Sequence, residues 1–287
     1  MGGTIAIDGS PVRPSDEVVI TSAGAGALYW ADMWRQRELL YFLVWRDILI
    51  RYKQTVVGIA WAMLRPLVTT CVMVIVFGKL ARLGDTLGMP YSLVVLTGLL
   101  SWQLFAGALV GASSSVVGNS NLITKIYFPR LIIPLSSMMQ SLVDYIFTCV
   151  ALGLVMVWFR FNPGWRALAL PGLTCLTLLA ATGLGLWFAA LNVRYRDIVN
   201  VVGILVQIGL YISPVAFPSS LVPERWRMVY SLNPMAGIID GYRWALLHQD
   251  TAIYWPGFAL SLAMMVCLLA SGVWYFRKTE WEFADVI

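Results

Sequence analysis

The sequence offers few side chains of the kinds that carry out catalysis. Its one histidine, His248, lies two residues before Asp250, without a metal or nucleophile motif around it. The motifs HExxH, GxSxG and GxxxxGK[ST] do not occur, so the sequence predicts neither a catalytic centre nor an ATP-phosphate loop. The four cysteines form no CxxC or Cys/His cluster, and each lies inside an apolar run: Cys71, Cys149, Cys175 and Cys267. We therefore expect a chain that is not an enzyme and that holds no metal, disulfide or cofactor.

The composition indicates what surrounds the chain. Apolar residues make up 59% of the 287 residues and charged residues only 12%, with a mean hydropathy of +0.76. A soluble domain carries about 25% charged residues, because water must solvate its surface. The net charge of +5 is spread over short stretches between apolar runs, which favours contact with lipid headgroups over nucleic-acid binding.

Six apolar runs are long enough to cross a bilayer, which takes about 20 residues of helix. We therefore predict an all-α membrane protein in which residues 56–287 form a six-helix transmembrane domain. The predicted spans are 62–81, 92–117, 132–158, 167–191, 199–217 and 256–276. With both termini inside, the inner segments hold more Lys and Arg than the outer ones. This bias predicts cytoplasmic termini.

Two further segments are amphipathic without being spans. Residues 28–55 mix aromatic and basic side chains after a flexible tail at 1–27, which predicts an interfacial helix on the cytoplasmic surface. Residues 218–255 are apolar with scattered charges and contain Asn233 and Pro234. This pattern predicts short re-entrant helices on the outer side, broken at the proline.

Polar side chains follow helical faces within three of the runs. Asp144 shares one face with Ser137, Gln140, Ser141 and Thr148, either as a contact with a gate or partner helix or as an interhelical hydrogen-bond site. In the second run, Gly107 and Gly111 predict close helix packing. Two more faces would line a path if two copies of the chain meet: Arg65, Thr69, Met73 and Phe77 in the first run, and Asn200, Gln207 and Tyr211 in the fifth.

Four motifs in order give the chain a resemblance to a known family. They are Trp45-Arg46-Asp47 with Arg51 to Thr55, Gly118 to Arg130, Leu191 to Asp197, and Leu232 to Met235 with Gly241-Tyr242-Arg243. From about residue 38 onward, the chain resembles the permease subunits of polysaccharide and polyol-phosphate ABC exporters, which move O-antigen, capsule and teichoic-acid chains.

The resemblance implies partners and roles for particular residues. It implies a homodimer in the bacterial inner membrane, two separate ATPase subunits that bind ATP and Mg, and a polyprenyl-linked glycan as substrate. The loop after the second span would be the ATPase-coupling helix, with Tyr127 and Phe128 filling a groove on the partner. Its residues would be Asn119, Asn121, Lys125, Tyr127, Phe128, Pro129 and Arg130. A second cytoplasmic loop would add Arg194, Tyr195, Arg196 and Asp197, and an outer gate would comprise Trp226, Tyr230, Asn233, Pro234, Tyr242 and Trp244.

Other functions remain open at this point. A permease of the same superfamily for drugs or lipids would share the fold and the ATPase. A membrane-embedded enzyme that modifies glycans or lipids would need clustered acidic or basic groups at headgroup level, and the sequence has only scattered ones. A secondary transporter would depend on Asp144 as its relay, a single acid.

Overall fold

The computed structural model describes residues 26–53, 58–83, 88–125, 128–248 and 254–283. No strand is found within these ranges, and the all-α membrane class is confirmed. The helices are α1 (Gly26–Arg35), α2 (Arg37–Lys53), α3 (Gly58–Met73, continued by a π-helical turn Val74–Leu80), α4 (Tyr91–Gly118), α5 (Ser120–Lys125), α6 (Ile132–Trp158), α7 (Leu170–Arg194), α8 (Ile198–Ile212), α9 (Glu224–Tyr230), α10 (Pro234–Leu247) and α11 (Trp255–Thr279). Short 3₁₀ turns occupy Trp165–Ala169, Ser219–Leu221 and Glu280–Glu282.

Within the described residues, five helical segments are long and apolar enough to cross a bilayer. They are Trp61–Leu80, Tyr91–Gly118, Ile132–Trp158, Trp165–Arg194 and Trp255–Glu282. The fifth run of the sequence forms the shorter helix α8, which ends because Ser213 precedes Pro214 and is extended (φ −76°, ψ 154°). A residue before proline is disfavoured in the helical region. The predicted span 199–217 is therefore a 15-residue helix followed by a buried, irregular turn.

Helix α4 is the centre of the bundle and packs on α6 and α7. Its glycines permit this approach: a Cβ added at Gly111 would lie 3.0 Å from the carbonyl oxygen of Ser137, and one at Gly107 would lie 3.1 Å from Cβ of Ser141. Helices α7 and α11 meet in the same way, through Gly183 and Gly272. Small residues replace hydrophobic attraction as the means of packing in lipid, so the packing interpretation of Gly107 and Gly111 is confirmed.

Different helices lie at the two ends of the bundle. At one end, which we call the terminal end, Tyr29 of α1 donates a hydrogen bond to Glu280 at 3.0 Å and α5 follows α4. At the other end, the distal end, α9 and α10 pack beside the start of α11. Helix α11 connects the two ends, and its 25 residues span about 37 Å.

The predicted interfacial segment forms two helices, α1 and α2, with a break at Gln36. Trp34 and Tyr41 are exposed, whereas Leu43 is buried in a cluster with Val116 and Phe276. A helix that buries one apolar face in protein and exposes rings beside Arg and Lys is suited to the headgroup layer.

Candidate functional site

A half-open cavity of about 690 Å³ lies between α3, α4, α6 and α8 and the end of α2, and its lining combines polar and apolar residues. Ser137, Gln140, Ser141 and Asp144 of α6 form one wall. Gly107 and Gly111 of α4 lie beside them. The polar stripe predicted on α6 therefore borders a cavity at Gln140 and Asp144, whereas Ser137 and Ser141 also lie in the close contact with α4.

Asp144 is held by a partner from a distant part of the chain. Arg51, at the end of α2, forms an ion pair with its carboxylate at 2.6 Å. Both side chains retain partial exposure to the cavity, 44% for Arg51 and 32% for Asp144. Ion pairs with this much exposure contribute on the order of 0–1 kcal/mol, so the pair positions α2 against α6 more than it stabilises the fold.

Arg65 of α3 adds a second guanidinium to the lining. Among the described lining residues there are therefore two cationic groups and one carboxylate, a net positive charge, and Arg65 lies within the candidate membrane span Trp61–Leu80. Cations in this position usually face protein or water and mark a path for substrates or ions. The arrangement is chemically suited to receive an anionic group.

The four candidates on the first run do not share one environment. Arg65 is exposed to the cavity, and Thr69 is partly exposed and donates to the Arg65 carbonyl at 2.9 Å. Met73 is only 4% exposed and belongs to the core, against which Phe77 also packs. Met73 is the last residue of α3, and the packing of α3 on α4 places its side chain in the core. Its predicted contact with an open path is therefore wrong for this conformation of the protomer.

The candidates on α8 lie on its outer face. Asn200, Gln207 and Tyr211 are exposed, and Gly203 has no atom within 4 Å of an added Cβ. Val202 is the buried residue of this helix. The stripe thus faces away from the protomer, where lipid or a second chain would lie.

The predicted coupling segment has an anchored part and an exposed part. Asn119 caps α4, and its side chain donates to the Ser115 carbonyl at 2.9 Å and accepts from Arg46 at 2.8 Å. Asn121 and Lys125 of α5 are exposed, whereas Pro129 is buried and Arg130 is partly buried. Arg130 donates to the Glu280 carbonyl and lies over the Phe283 ring at 6.0 Å.

Phe128 requires a correction. Its ring is 5% exposed and packs in a cluster with Leu43, Ile123 and Phe283. It is therefore an anchor of its own loop, and the interpretation that it fills a partner's groove is wrong. Tyr127 lies outside the described residues. The sequence could not distinguish these roles, because an aromatic pair in a loop suits a core and an interface equally well.

The second predicted loop is wholly accessible. Arg194, Tyr195, Arg196 and Asp197 are exposed, and the Arg194 guanidinium lies 6.0 Å from the Tyr195 ring centre. With Asn121 and Lys125 of α5, these residues supply exposed polar and charged groups on the two loops.

The predicted outer-gate residues are mainly structural. Tyr242 is fully buried and lies 3.2 Å from the Thr174 hydroxyl, so its assignment as a gate surface is wrong in this conformation. Asn233 caps α10 by accepting from Met235 N at 3.0 Å, and Pro234 is the first helical residue. Trp244 lies beneath Arg166, with 5.4 Å between the guanidinium and the ring. Tyr230 donates to the Ile212 carbonyl at 2.8 Å, and Trp226 is exposed.

The sequence alone did not identify Arg243 as a structural residue, although its side chain is fully buried. Its guanidinium donates to the carbonyls of Val215 and Phe217 at 2.9 and 3.0 Å, and Asp240 lies 3.7 Å away. Arg243 therefore satisfies the turn that follows α8, where regular helical hydrogen bonds end. The i,i+3 spacing of Asp240 and Arg243 was a signal in the sequence that could have indicated this pair.

Comparison with known proteins agrees with this architecture. Residues 38–247 match the family model described as ABC-2 type transporter. The chain is 25% identical over 258 residues to the O-antigen export system permease protein RfbA of Klebsiella pneumoniae, covering 87% of this chain and 95% of the relative. It is 26% identical over 258 residues to the protein of the same name from Myxococcus xanthus, covering 89% and 98%. The chain, with its apolar helices around a cavity that several polar side chains line, belongs to the ABC-2 type transporter family of membrane proteins.

Proposed function

We propose that this chain is the membrane subunit of an ATP-driven exporter that moves an O-antigen-like, lipid-linked polysaccharide out of the cytoplasm. The observation that carries the proposal is the match to permeases named for O-antigen export, which extends over 95% or more of their length. The net positive cavity supports it, because a lipid-linked glycan carries its negative charge on the phosphate beside the lipid. In this proposal Arg51 and Arg65 receive the phosphate group in the cytoplasmic leaflet.

The energy comes from a separate ATPase in this proposal. The sequence has no phosphate-binding loop of its own, and ATP and Mg would be bound by two copies of the partner. The partner docks on the terminal end, against exposed Asn121 and Lys125 and the loop from Arg194 to Asp197. Burial of Phe128 and the bonds of Arg130 tie this surface to α2 and α11, so a push on α5 would reach the end of α2 that carries Arg51.

A homodimer provides the conduit. Polar groups exposed to lipid are costly, and the stripe of Asn200, Gln207 and Tyr211 would escape that cost against a second copy of the chain. The cavity and this stripe would then lie along one seam. The termini would be cytoplasmic and the membrane would be the bacterial inner membrane, as the distribution of Lys and Arg predicts.

The decisive experiment is deletion and complementation in the source bacterium. Loss of the chain should remove the long glycan from the cell surface and leave lipid-linked glycan inside the cell. Complementation with Arg65→Gln should restore less export than Arg65→Lys, since Lys keeps the charge. If deletion leaves surface glycan unchanged and instead alters drug resistance or lipid export, the glycan proposal is wrong.

A further inference from the structure

A second, smaller cavity of about 190 Å³ lies at the distal end, between α9, α10 and the start of α11. Its lining combines aromatic rings with hydroxyls and one acid, and includes Tyr230, Tyr254, Phe258, Ser219, Ser220 and Asp240. We infer that this cavity is a binding subsite for a single sugar residue of the exported glycan. The inference rests on the proposed function and adds a position at which the glycan is held near the outer side.

The hydrogen bonding of Asp240 is the observation that indicates a ligand in this cavity. It is 7% exposed, and one carboxylate oxygen accepts a hydrogen bond from Ser219. The other oxygen lies 3.7 Å from Arg243, beyond hydrogen-bond distance, and no other described residue donates to it. A carboxylate has about four acceptor sites, so this buried acid retains acceptors for hydroxyl donors within the cavity.

The other side of the cavity supplies apolar surface. Tyr254 is partly exposed, and Phe258 continues the aromatic wall from α11. A sugar ring has apolar C–H faces and a rim of hydroxyls. It is therefore complementary to rings on one side and a carboxylate on the other, in the manner of pockets with a few convergent polar groups.

The charges of the lining disfavour an anionic ligand. Arg227 is the one cation among the described lining residues, and its guanidinium already donates to the carbonyls of Val222 and Ser220 at 3.0 and 3.1 Å. Asp240 is paired with the buried Arg243, so this pair adds no net positive charge for a phosphate. The distal cavity therefore differs from the larger cavity at Arg51, and the two would hold different parts of the same substrate: neutral sugar here and the anionic head there.

The test uses the full-length chain in lipid nanodiscs and a panel of methyl glycosides, with saturation-transfer NMR as the readout. We expect at least one glycoside to bind, and Asp240→Asn to weaken its affinity about tenfold, because a neutral amide oxygen is a weaker acceptor than a carboxylate. Tyr254→Ala should weaken it severalfold. Trp165→Ala is the matched control, because Trp165 is an exposed ring outside the cavity lining, and it should bind as the wild type does.

Two further arms separate the possible failures. Should Asp240→Asn fold poorly, Ser220→Trp places a ring at the exposed rim and should block binding. The inference is overturned if no glycoside binds, if binding survives both Tyr254→Ala and Ser220→Trp, or if only vesicles of anionic lipid give a signal. If deletion of the chain abolishes glycan export while these variants bind and export normally, this subsite alone is refuted. If a glycoside binds at Asp240 but deletion leaves export intact, the proposed function is refuted instead.

Discussion

At the scale of the residue, the ion pair between Arg51 and Asp144 connects the interfacial helix to the wall of the larger cavity. The two residues lie far apart in sequence and belong to different elements. Each alone looks like an ordinary charge, one basic group near the headgroups and one acid in an apolar run. Together they set both the position of α2 and the charge of the cavity.

A charge-swap experiment tests whether the pair holds α2 in position. Arg51→Gln and Asp144→Asn should each loosen α2, which faster hydrogen exchange of α2 amides would show. The swapped double variant, Arg51→Asp with Asp144→Arg, should restore protection of α2 because the pair is re-formed. Normal exchange in both single variants would show that the pair does not hold α2.

Phe128 and Lys125 give a contrasting pair of predictions within one loop. Phe128→Ala should cost about 3–5 kcal/mol of stability, as usual for a buried ring, and should lower the thermal unfolding midpoint in detergent. Lys125→Glu, at an exposed position, should leave that midpoint unchanged and reduce the ATPase stimulation measured with the partner. A stable Phe128→Ala protein would contradict the assignment of Phe128 as an anchor.

At the scale of the element, helix α4 depends on glycine where it crosses α6. A methyl group at Gly111 would meet the backbone of Ser137, which cannot rotate away as a side chain does. Glycine in a helix otherwise costs roughly 0.5–1 kcal/mol relative to alanine. Its presence at Gly111 is therefore explained by the close crossing.

The matched test compares Gly111→Ala with Gly153→Ala. The first should lower the unfolding midpoint, because α4 and α6 must separate by a few tenths of an ångström. The second should leave the midpoint unchanged or raise it, since Gly153 lies in α6 with no atom within 4 Å of an added Cβ. Equal effects of the two substitutions would mean that helix propensity, not packing, governs both sites.

At the scale of the whole molecule, helix α8 combines an apolar sequence with a largely exposed surface, and Val202 is its one buried residue. Ile204, Ile208 and Ile212 are each at least half exposed, and the polar stripe lies on the same helix. An apolar face by itself is compatible with lipid, but the added amide and phenol groups favour a protein partner. A second copy of the chain is the partner that the proposed homodimer supplies.

Cysteine crosslinking tests this interface. In a variant lacking the four native cysteines, Gln207→Cys should give a crosslinked dimer in membranes under mild oxidation. Val266→Cys on α11 is a control of similar exposure without a polar stripe, and it should remain monomeric. Crosslinking at both positions would indicate random collision in the membrane and would remove the support for a specific seam.

Hydropathy predicted most of the fold, because a chain in lipid must satisfy its backbone hydrogen bonds within helices. The long apolar runs, the break at Asn233 and Pro234 and the small-residue contacts of α4 are all local or periodic features. The residues that form the candidate site were harder to predict from hydropathy. The face of Asp144 was evident from spacing, but its cavity and its partner Arg51 were not.

By itself, the sequence determined that most of this protein is surrounded by lipid and that its fold is all-α. Four motifs in order also indicated its family. Only the tertiary structure decided which side chains are available for function. It buried Phe128, Tyr242 and Met73, paired Arg51 with Asp144, and left Asp240 with unused acceptors in a cavity. The physical reason is that periodicity gives the face of a helix, whereas burial and charge pairing depend on which distant helix covers that face.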